Sequence, residues 1–345
     1  MCRGLVLLFL SGAAVACGNA ERDSDTTGCA VGDAGESLEL RCTGLYSNWP
    51  LRTISPDVES YTPGIPLWSD GALKSRWVYL PPGTSIDTSD MDEWTFPVGT
   101  KLWKQFIVDG QLVETRLLWK QASGWYRTTY RWSADGTNTV ELTTGGLANG
   151  WYEIPSQLDC YTCHEGQRDG VMGFSAVSLS LPSAAGMTLD ALAQRHLITD
   201  PPATPIVVPG SPLDQWALGF LHINCGIVCH NEDYGYASWT GFFMRLDVAQ
   251  LSSVQATNTW QTGVNEPTEV YSVPGIVARI AAGNAIGSCV HYRMGQRNND
   301  NAMPPLDSHV VDDAGLQLIG EWIDSLDAGD ILGVLDGQVV NPPPP

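Results

Sequence analysis

The sequence predicts a multidomain α+β protein in which a Trp-rich, antiparallel β-sandwich-like domain is followed by a mainly helical domain. Nine of the 13 Trp lie within residues 45–152, where apolar and polar residues alternate with the period of a β-strand. Beyond Trp151 the apolar residues recur at helical spacing instead. A length of 345 residues is also a soft prior for two domains.

The first 16 residues have the pattern of a secretory signal peptide. Arg3 precedes an apolar run over residues 5–10, and small residues lead up to Ala16. Residues 14–17, Ala-Val-Ala-Cys, resemble a bacterial lipobox, in which the cysteine is acylated and becomes the new N-terminus. The alternative is an ordinary signal peptide with Cys17 in a disulfide. We therefore expect a cell-envelope protein at the periplasmic face or outer membrane, attached to the membrane by a lipid anchor only.

Two segments are predicted to lie outside the folded domains. Residues 17–44 are rich in Gly, Ser, Thr, Asp and Glu and predict a flexible tether. Export favours a disulfide between Cys29 and Cys42 within it. Residues 331–345 end in four prolines and predict a disordered tail.

The charge balance limits the partners of the chain. It carries 18 Lys+Arg against 38 Asp+Glu, a net charge of -20. Such an acidic surface repels phosphate backbones, so we expect no nucleic-acid partner, whereas a basic redox partner protein is compatible with it. Apolar residues make up 43% of the chain, which argues against global disorder.

Residues 45–152 contain clear strand and turn signals. A hairpin is predicted from residues 101–108 and 112–119 around Asp109-Gly110, and a strand from Arg76 to Leu80 precedes Pro81-Pro82-Gly83. Alternation continues through residues 126–132. The Trp side chains either fill the core of this domain or form a surface that binds a polymer such as a sugar chain, and the alternation favours the core.

The remaining chain divides into residues 153–205, a first motif segment and linker, and residues 206–330, the helical domain. Thr188 to Leu197 predicts a short helix. Ser211 and Pro212 have the capping residue and first-position proline of a second helix, which continues to Leu221. An amphipathic helix with acids at its N-terminus is predicted from Asp312 to Leu326.

Residues 160–164 read Cys-Tyr-Thr-Cys-His, the C-x-x-C-H attachment sequence of c-type haem. On one helical turn, Cys160 and Cys163 share a face, so both thiols can bond the two vinyl groups of one haem. His164 then serves as the proximal iron ligand. The alternatives are a disulfide or half of a zinc site, and zinc needs further ligands at matching spacing.

Residues 225–230 form a second, longer cluster, C-x-x-x-C-H. Cys225 and Cys229, at i and i+4, still share a helix face, so a second haem c is predicted, with a local bulge and His230 as its ligand. The alternative is that one of these cysteines forms a disulfide, with Cys289 as a candidate partner, and that the chain holds one haem.

The opposite axial ligand of each iron has to come from another segment. For the second haem, Met303 in the Pro-rich loop Met303-Pro304-Pro305 is favoured over Met294. For the first haem the choice between Met172, Met187 and His196 stays open.

The residues quoted next carry a family resemblance: 67–74 (LWSDGALK), 76–84 (RWVYLPPGT), 94–100 (WTFPVGT), 114–117 (ETRL), the two cysteine–histidine motifs and 303–306 (MPPL). With them the chain, over residues 64 to 327, resembles exported bacterial c-type cytochromes, usually diheme, with a β-rich N-terminal domain. The resemblance implies a cytochrome c-like fold for the helical domain and electron transfer to a redox partner protein.

Three functions are therefore compared. An iron with both axial positions filled has no open site for substrate, which favours an electron carrier over an enzyme. A haem enzyme, peroxidase-like or a dehydrogenase subunit, needs an open distal position. The third hypothesis is a binding lipoprotein in which the Trp-rich domain holds a polymer and the Cys/His clusters are structural.

Overall fold

The computed structural model describes residues 29, 39–233, 235–268, 271–306 and 308–326. The predicted signal peptide, Cys17 and the predicted tail 331–345 lie outside the described residues. The strands are β1 (Tyr46–Asn48), β2 (Thr53–Ile54), β3 (Glu59–Thr62), β4 (Leu73–Tyr79), β5 (Lys101–Val108), β6 (Gln111–Gln121), β7 (Gly124–Trp132), β8 (Thr139–Glu141), β9 (Gly146–Ala148), β10 (Tyr152–Ile154) and β11 (Ala185–Gly186). The α-helices are α1 (Gln157–His164), α2 (Ala176–Ser180), α3 (Leu189–Gln194), α4 (Pro212–Leu221), α5 (Asn258–Gly263), α6 (Cys289–Met294) and α7 (Asp313–Ser325).

A seven-stranded antiparallel sheet dominates the first half, in the order β11-β3-β4-β5-β6-β7-β8. The predicted hairpin is confirmed as β5 and β6, with Val108 paired to Gln111 across the turn. Asp109 and Gly110 both have positive φ, 52° and 76°, as the mirror-image turns of two-residue hairpins require. Together with the helices, this sheet places the chain in the α+β class.

One face of the sheet packs against a short hairpin. Trp103, Leu117 and Trp132 are buried there beneath Leu45 and Tyr46 of the N-terminal segment. The second layer is therefore the two-stranded β1–β2 hairpin, where the sequence predicts a larger sandwich-like partner sheet. Most of the nine Trp of this region are buried or half-buried, and Trp151 is 39% exposed.

The folded part begins before residue 45. Leu40 lies in a 3₁₀ turn, Leu40–Cys42, within the segment predicted as tether, and its side chain is fully buried in the same core. The disulfide predicted between Cys29 and Cys42 is present.

The opposite face of the sheet contributes to a core shared with the helices. Val78, Leu102 and Leu118 belong to the same buried cluster as Trp322 and Ile323 of α7. The β-rich and helical regions therefore share a continuous apolar core. Within the described part of the chain, no helix has both the length and the apolar character needed to cross a bilayer.

The predicted helices are confirmed as α3, α4 and α7. Ser211 and Asp214 form a capping box at the start of α4, with Pro212 at its first position. Asp214 also accepts a hydrogen bond from the Trp322 indole at 3.0 Å, which ties α4 to α7. α7 begins after Asp312, whose carboxylate accepts the backbone N–H of Gly315.

Candidate functional site

The first cysteine–histidine motif occupies the C-terminal half of α1. Ser156 and Asp159 form a capping box that begins this helix, with Ser156 N–H donating to the Asp159 carboxylate at 2.8 Å. Gln157 ties the helix to the sheet by donating to the carbonyl of Arg127 at 2.7 Å. Because the helix is regular through His164, Cys160 and Cys163 lie one turn apart, as the sequence predicts, and both are partly exposed.

The buried His164 ring is oriented by the backbone. Its Nδ1 is hydrogen-bonded to the carbonyl oxygen of Gly170, so the assigned tautomer carries the proton on Nδ1. Nε2 has no hydrogen bond to any described residue. Burial, followed by the charge of Lys104, lowers the pKa of His164 well below its ordinary value, so the ring is neutral at pH 7. A neutral imidazole with an available Nε2 is the form that ligates a metal.

The second motif follows α4 through a π-helical turn over residues His222–Gly226. Ile227 N–H donates to His222 O and His230 N–H donates to Cys225 O, each at 2.9 Å and each spanning five residues. A π turn holds one residue more than an α turn, and such turns are frequent at functional sites. The π turn includes Cys225, and the bond from His230 N–H to Cys225 O keeps the five-residue spacing across the second motif.

His230 has the same backbone partner arrangement as His164. Its Nδ1 lies 2.9 Å from the carbonyl oxygen of Phe242, and Nε2 again has no hydrogen bond to any described residue. Burial lowers the pKa of His230, and the charges of Arg293 and Arg279 lower it further. The two motifs therefore each present a neutral imidazole with its Nε2 available.

The cysteines of the second motif are thiols in this structure. Cys225, Cys229 and Cys289 form no disulfide, so the alternative pairing with Cys289 is not made. Burial raises the pKa of Cys225 to about 12 and also raises that of Cys229, which disfavours the thiolates that zinc binds. The described residues contain no group of three or more His, Cys, Asp or Glu placed to hold a metal ion. Haem iron takes only one or two protein ligands.

The two motifs are adjacent in space. Gly166, two residues after His164, lies so close to the backbone of Ile227 and Val228 that a side chain there would collide with their carbonyl oxygens. The buried amide of Asn231 donates to the carbonyls of Gly166 at 3.2 Å, Gly226 at 3.0 Å and Ile227 at 3.2 Å. Sequence reasoning missed this joint. Its only signal is that Asn231 directly follows Cys229-His230.

Met303 lies in a loop attached to the end of α6. Its backbone N–H donates to the carbonyl of Arg293 at 3.1 Å, and its own carbonyl accepts from Arg297 at 3.2 Å. The Arg293 side chain also holds this loop by donating to the Asn301 carbonyl at 3.0 Å. Met303 is half-buried, whereas the competing Met294 is buried in the core.

The three candidates for the second ligand of the first haem iron differ in their burial. Met172 is buried, and its carbonyl accepts from Lys104 at 3.0 Å, which places its backbone beside the first motif. Met187 is buried, with its sulfur 3.8 Å from Arg195. His196 is exposed.

A row of basic side chains lies on the sheet face that α1 covers. Arg76, Lys104 and Arg116 are direct cross-strand neighbours on β4, β5 and β6, and Arg127 follows diagonally on β7. We call these four residues the basic row. Burial, with the charges of Arg76 and Arg116, lowers the pKa of Lys104 from 10.5 to about 7.

Comparisons of the chain with protein-family models, with curated proteins and with solved structures found no match.

Proposed function

We propose that this protein is a c-type cytochrome that holds two haems covalently and transfers electrons in the bacterial cell envelope. The observation that carries the proposal is the repeated histidine arrangement. His164 and His230 each follow a cysteine pair, each has Nδ1 on a backbone carbonyl, and each keeps Nε2 available. Nothing in a disulfide site or a structural Cys/His cluster requires this orientation twice.

The residues present fit haem c. Cys160 with Cys163, and Cys225 with Cys229, would form the thioether bonds, and His164 and His230 would ligate the irons. When bound, the haem supplies a one-electron redox centre. The chain itself orients the imidazoles: the Gly170 and Phe242 carbonyls fix their tautomers, and burial keeps them neutral.

Electron transfer is favoured over substrate chemistry by the joint between the motifs. The segment after His164 touches the segment between Cys225 and Cys229, and Asn231 bonds both. Two redox centres attached there would be neighbours along a short path. Met303 and His230 would together hold the second iron, which would leave it without an open position for substrate.

The remaining parts of the proposal concern location and partners. The lipid anchor at Cys17, the periplasmic or outer-membrane position and the redox partner protein rest on the N-terminal sequence pattern and on the acidic charge. The polymer-binding alternative has less support, because the Trp side chains of the β-rich region mostly pack in the core.

An absorption spectrum of protein expressed with a c-type maturation system tests the proposal. We expect low-spin haem in both oxidation states. High-spin ferric haem would favour an enzyme with an open distal position, and the absence of a haem spectrum would contradict the cytochrome assignment.

A further inference from the structure

The side chains of the basic row repel one another, so the row destabilises the fold unless negative charges lie beside it. Arg76 pairs with Lys104, and Lys104 pairs with Arg116, as Cα partners on adjacent strands. Like charges directly opposite each other in a sheet are destabilising. In a chain with more than twice as many acidic as basic residues, this concentration of cations on one buried face needs a specific cause.

One member of the row has its own counter-ion. Glu114, fully buried, accepts two hydrogen bonds from Arg116 at 2.7 and 3.0 Å and one from Tyr152 at 3.0 Å. This carboxylate is therefore fully occupied by Arg116 and Tyr152. It shows how a buried cation on this face is satisfied when the chain supplies the anion.

The other three members have no such partner. Arg76 is 6% exposed, and its guanidinium makes no hydrogen bond or ion pair with any described residue. Arg127 is 9% exposed, its Nε has no hydrogen-bond partner, and its guanidinium lies over the Tyr161 ring at 5.1 Å. Lys104 donates only to the Met172 carbonyl. Burying a charge without an anion costs several kcal/mol, so a negative group beside these side chains would stabilise them.

The nearby acids do not fill this role. Glu165 and Asp169 act on Arg127 through their charges, but neither forms an ion pair with it. Asp169 is instead bonded to Lys120, to the Trp125 indole at 3.0 Å and to the Phe96 N–H at 2.7 Å.

The row faces the first cysteine–histidine motif. The Arg127 guanidinium lies 5.1 Å from the ring of Tyr161, the residue that follows Cys160. Lys104 donates to the carbonyl of Met172 at 3.0 Å, two residues after Gly170, whose carbonyl holds the His164 ring.

α1 is tied to β7, at one end of the row, by the bond from Gln157 to the Arg127 carbonyl. The two propionate carboxylates of haem are on the edge of the macrocycle opposite its vinyl groups. In a haem attached to the Cys160 and Cys163 thiols they would lie towards the members of the row farther from α1, Arg76 on β4 and Lys104 on β5.

We propose that Arg76 and Lys104 bind the propionate carboxylates of the haem attached at Cys160 and Cys163. This inference rests on the proposed function. It adds that the β-rich region is part of the haem site and supplies its anion-binding residues, while Arg116 is held in the row by Glu114.

The test uses the chain with Cys225→Ala and Cys229→Ala, so that only the first haem is present. Resonance Raman spectra report the propionate bending bands of that haem. We expect these bands to shift in Arg76→Met and in Lys104→Met and to stay in place in Arg131→Met, which removes an exposed charge from β7. Unchanged bands in both row variants, with the haem retained by mass, would overturn the inference. If Arg76→Met does not fold, Lys104→Met decides, because its half-buried side chain is easier to replace.

A second measurement compares thermal unfolding with and without the first haem. In the haem-bearing chain, Arg76→Met should lower the Tm because a bound carboxylate loses its partner. In the chain with Cys160→Ala and Cys163→Ala, the same substitution should raise the Tm because an unpaired buried charge is removed. A lower Tm in both would mean that Arg76 is structural and would contradict the inference. Absence of haem from the parent chain would instead refute the proposed function itself.

Discussion

The segment around Cys160 is a regular, capped α-helix on a charged sheet face, whereas the segment around Cys225 is a π-helical turn in the apolar core. The first faces the basic row on one side, and the second lies among Ile223, Ile227 and other buried apolar side chains. Yet both end in a histidine whose Nδ1 is bonded to a carbonyl. The two motifs therefore differ in the spacing of their cysteines, but the fold gives their histidines the same orientation.

The largest expected effect is the loss of one haem when the cysteines of either motif are replaced. Cys160→Ala with Cys163→Ala should remove one haem, and Cys225→Ala with Cys229→Ala the other, so each double variant keeps about half the haem stain of a denaturing gel band. The single variant Cys289→Ala is the matched control and should stain like the parent. Full staining in the second double variant would show that the longer motif attaches no haem.

The next effect tests whether Met303 is the second protein ligand of the second haem iron. The chain with Cys160→Ala and Cys163→Ala keeps only the second haem. If Met303 ligates that iron, the ferric protein has a weak near-infrared charge-transfer band, and Met303→Leu abolishes it while leaving the haem attached. Met294→Leu, a change in the core, should leave the band in place. A band that disappears only in Met294→Leu would reverse the assignment.

The sequence predicts the helices and the hairpin well because their signals are local. Ser211-Pro212 and Asp109-Gly110 act through neighbouring residues, and they mark α4 and the β5–β6 turn correctly. The basic row could not be predicted, because it depends on the register of four strands across the sheet.

The candidate site also has a part that the sequence predicts and a part that only the structure shows. Spacing alone identifies the cysteines and histidines of both motifs. The Gly170 and Phe242 carbonyls and the Asn231 joint are tertiary contacts with no periodic signal, so the structure is needed to find them.

The joint between the motifs gives a smaller, structural effect. Asn231→Ala leaves three buried carbonyls without the amide donor, so we expect a loss of about 1–3 kcal/mol in the free energy of unfolding with unchanged haem content. Denaturant unfolding measures it, with the exposed Asn138→Ala as control. Equal stability of Asn231→Ala and the parent would show that the amide does not hold the motifs together.

The last effect is a pH dependence specific to the second region. His222 begins the π turn and accepts the Leu246 N–H at 2.9 Å, and burial lowers its pKa from 6.5 to about 3. Below pH 6.5, His222 binds a proton in the unfolded chain but stays neutral in the folded chain. Its contribution to stability is therefore lost as the pH falls from 6.5 towards 3, at up to about 1.4 kcal/mol per pH unit.

His222→Gln, whose amide oxygen can still accept the Leu246 N–H, should have a shallower stability–pH slope in this window than the parent. Denaturant midpoints at several pH values measure the slopes. Identical slopes would mean that His222 titrates alike in the folded and unfolded chains.

The central claim, that two different backbones each hold a haem, is tested most directly by the intact mass of the parent chain. The protein is matured with a c-type attachment system, denatured and weighed after reduction, so that only thioether-bound haem remains. We predict the mass of the chain plus two haems. The mass of the chain plus a single haem, with Cys225 and Cys229 alkylated as thiols, would contradict it.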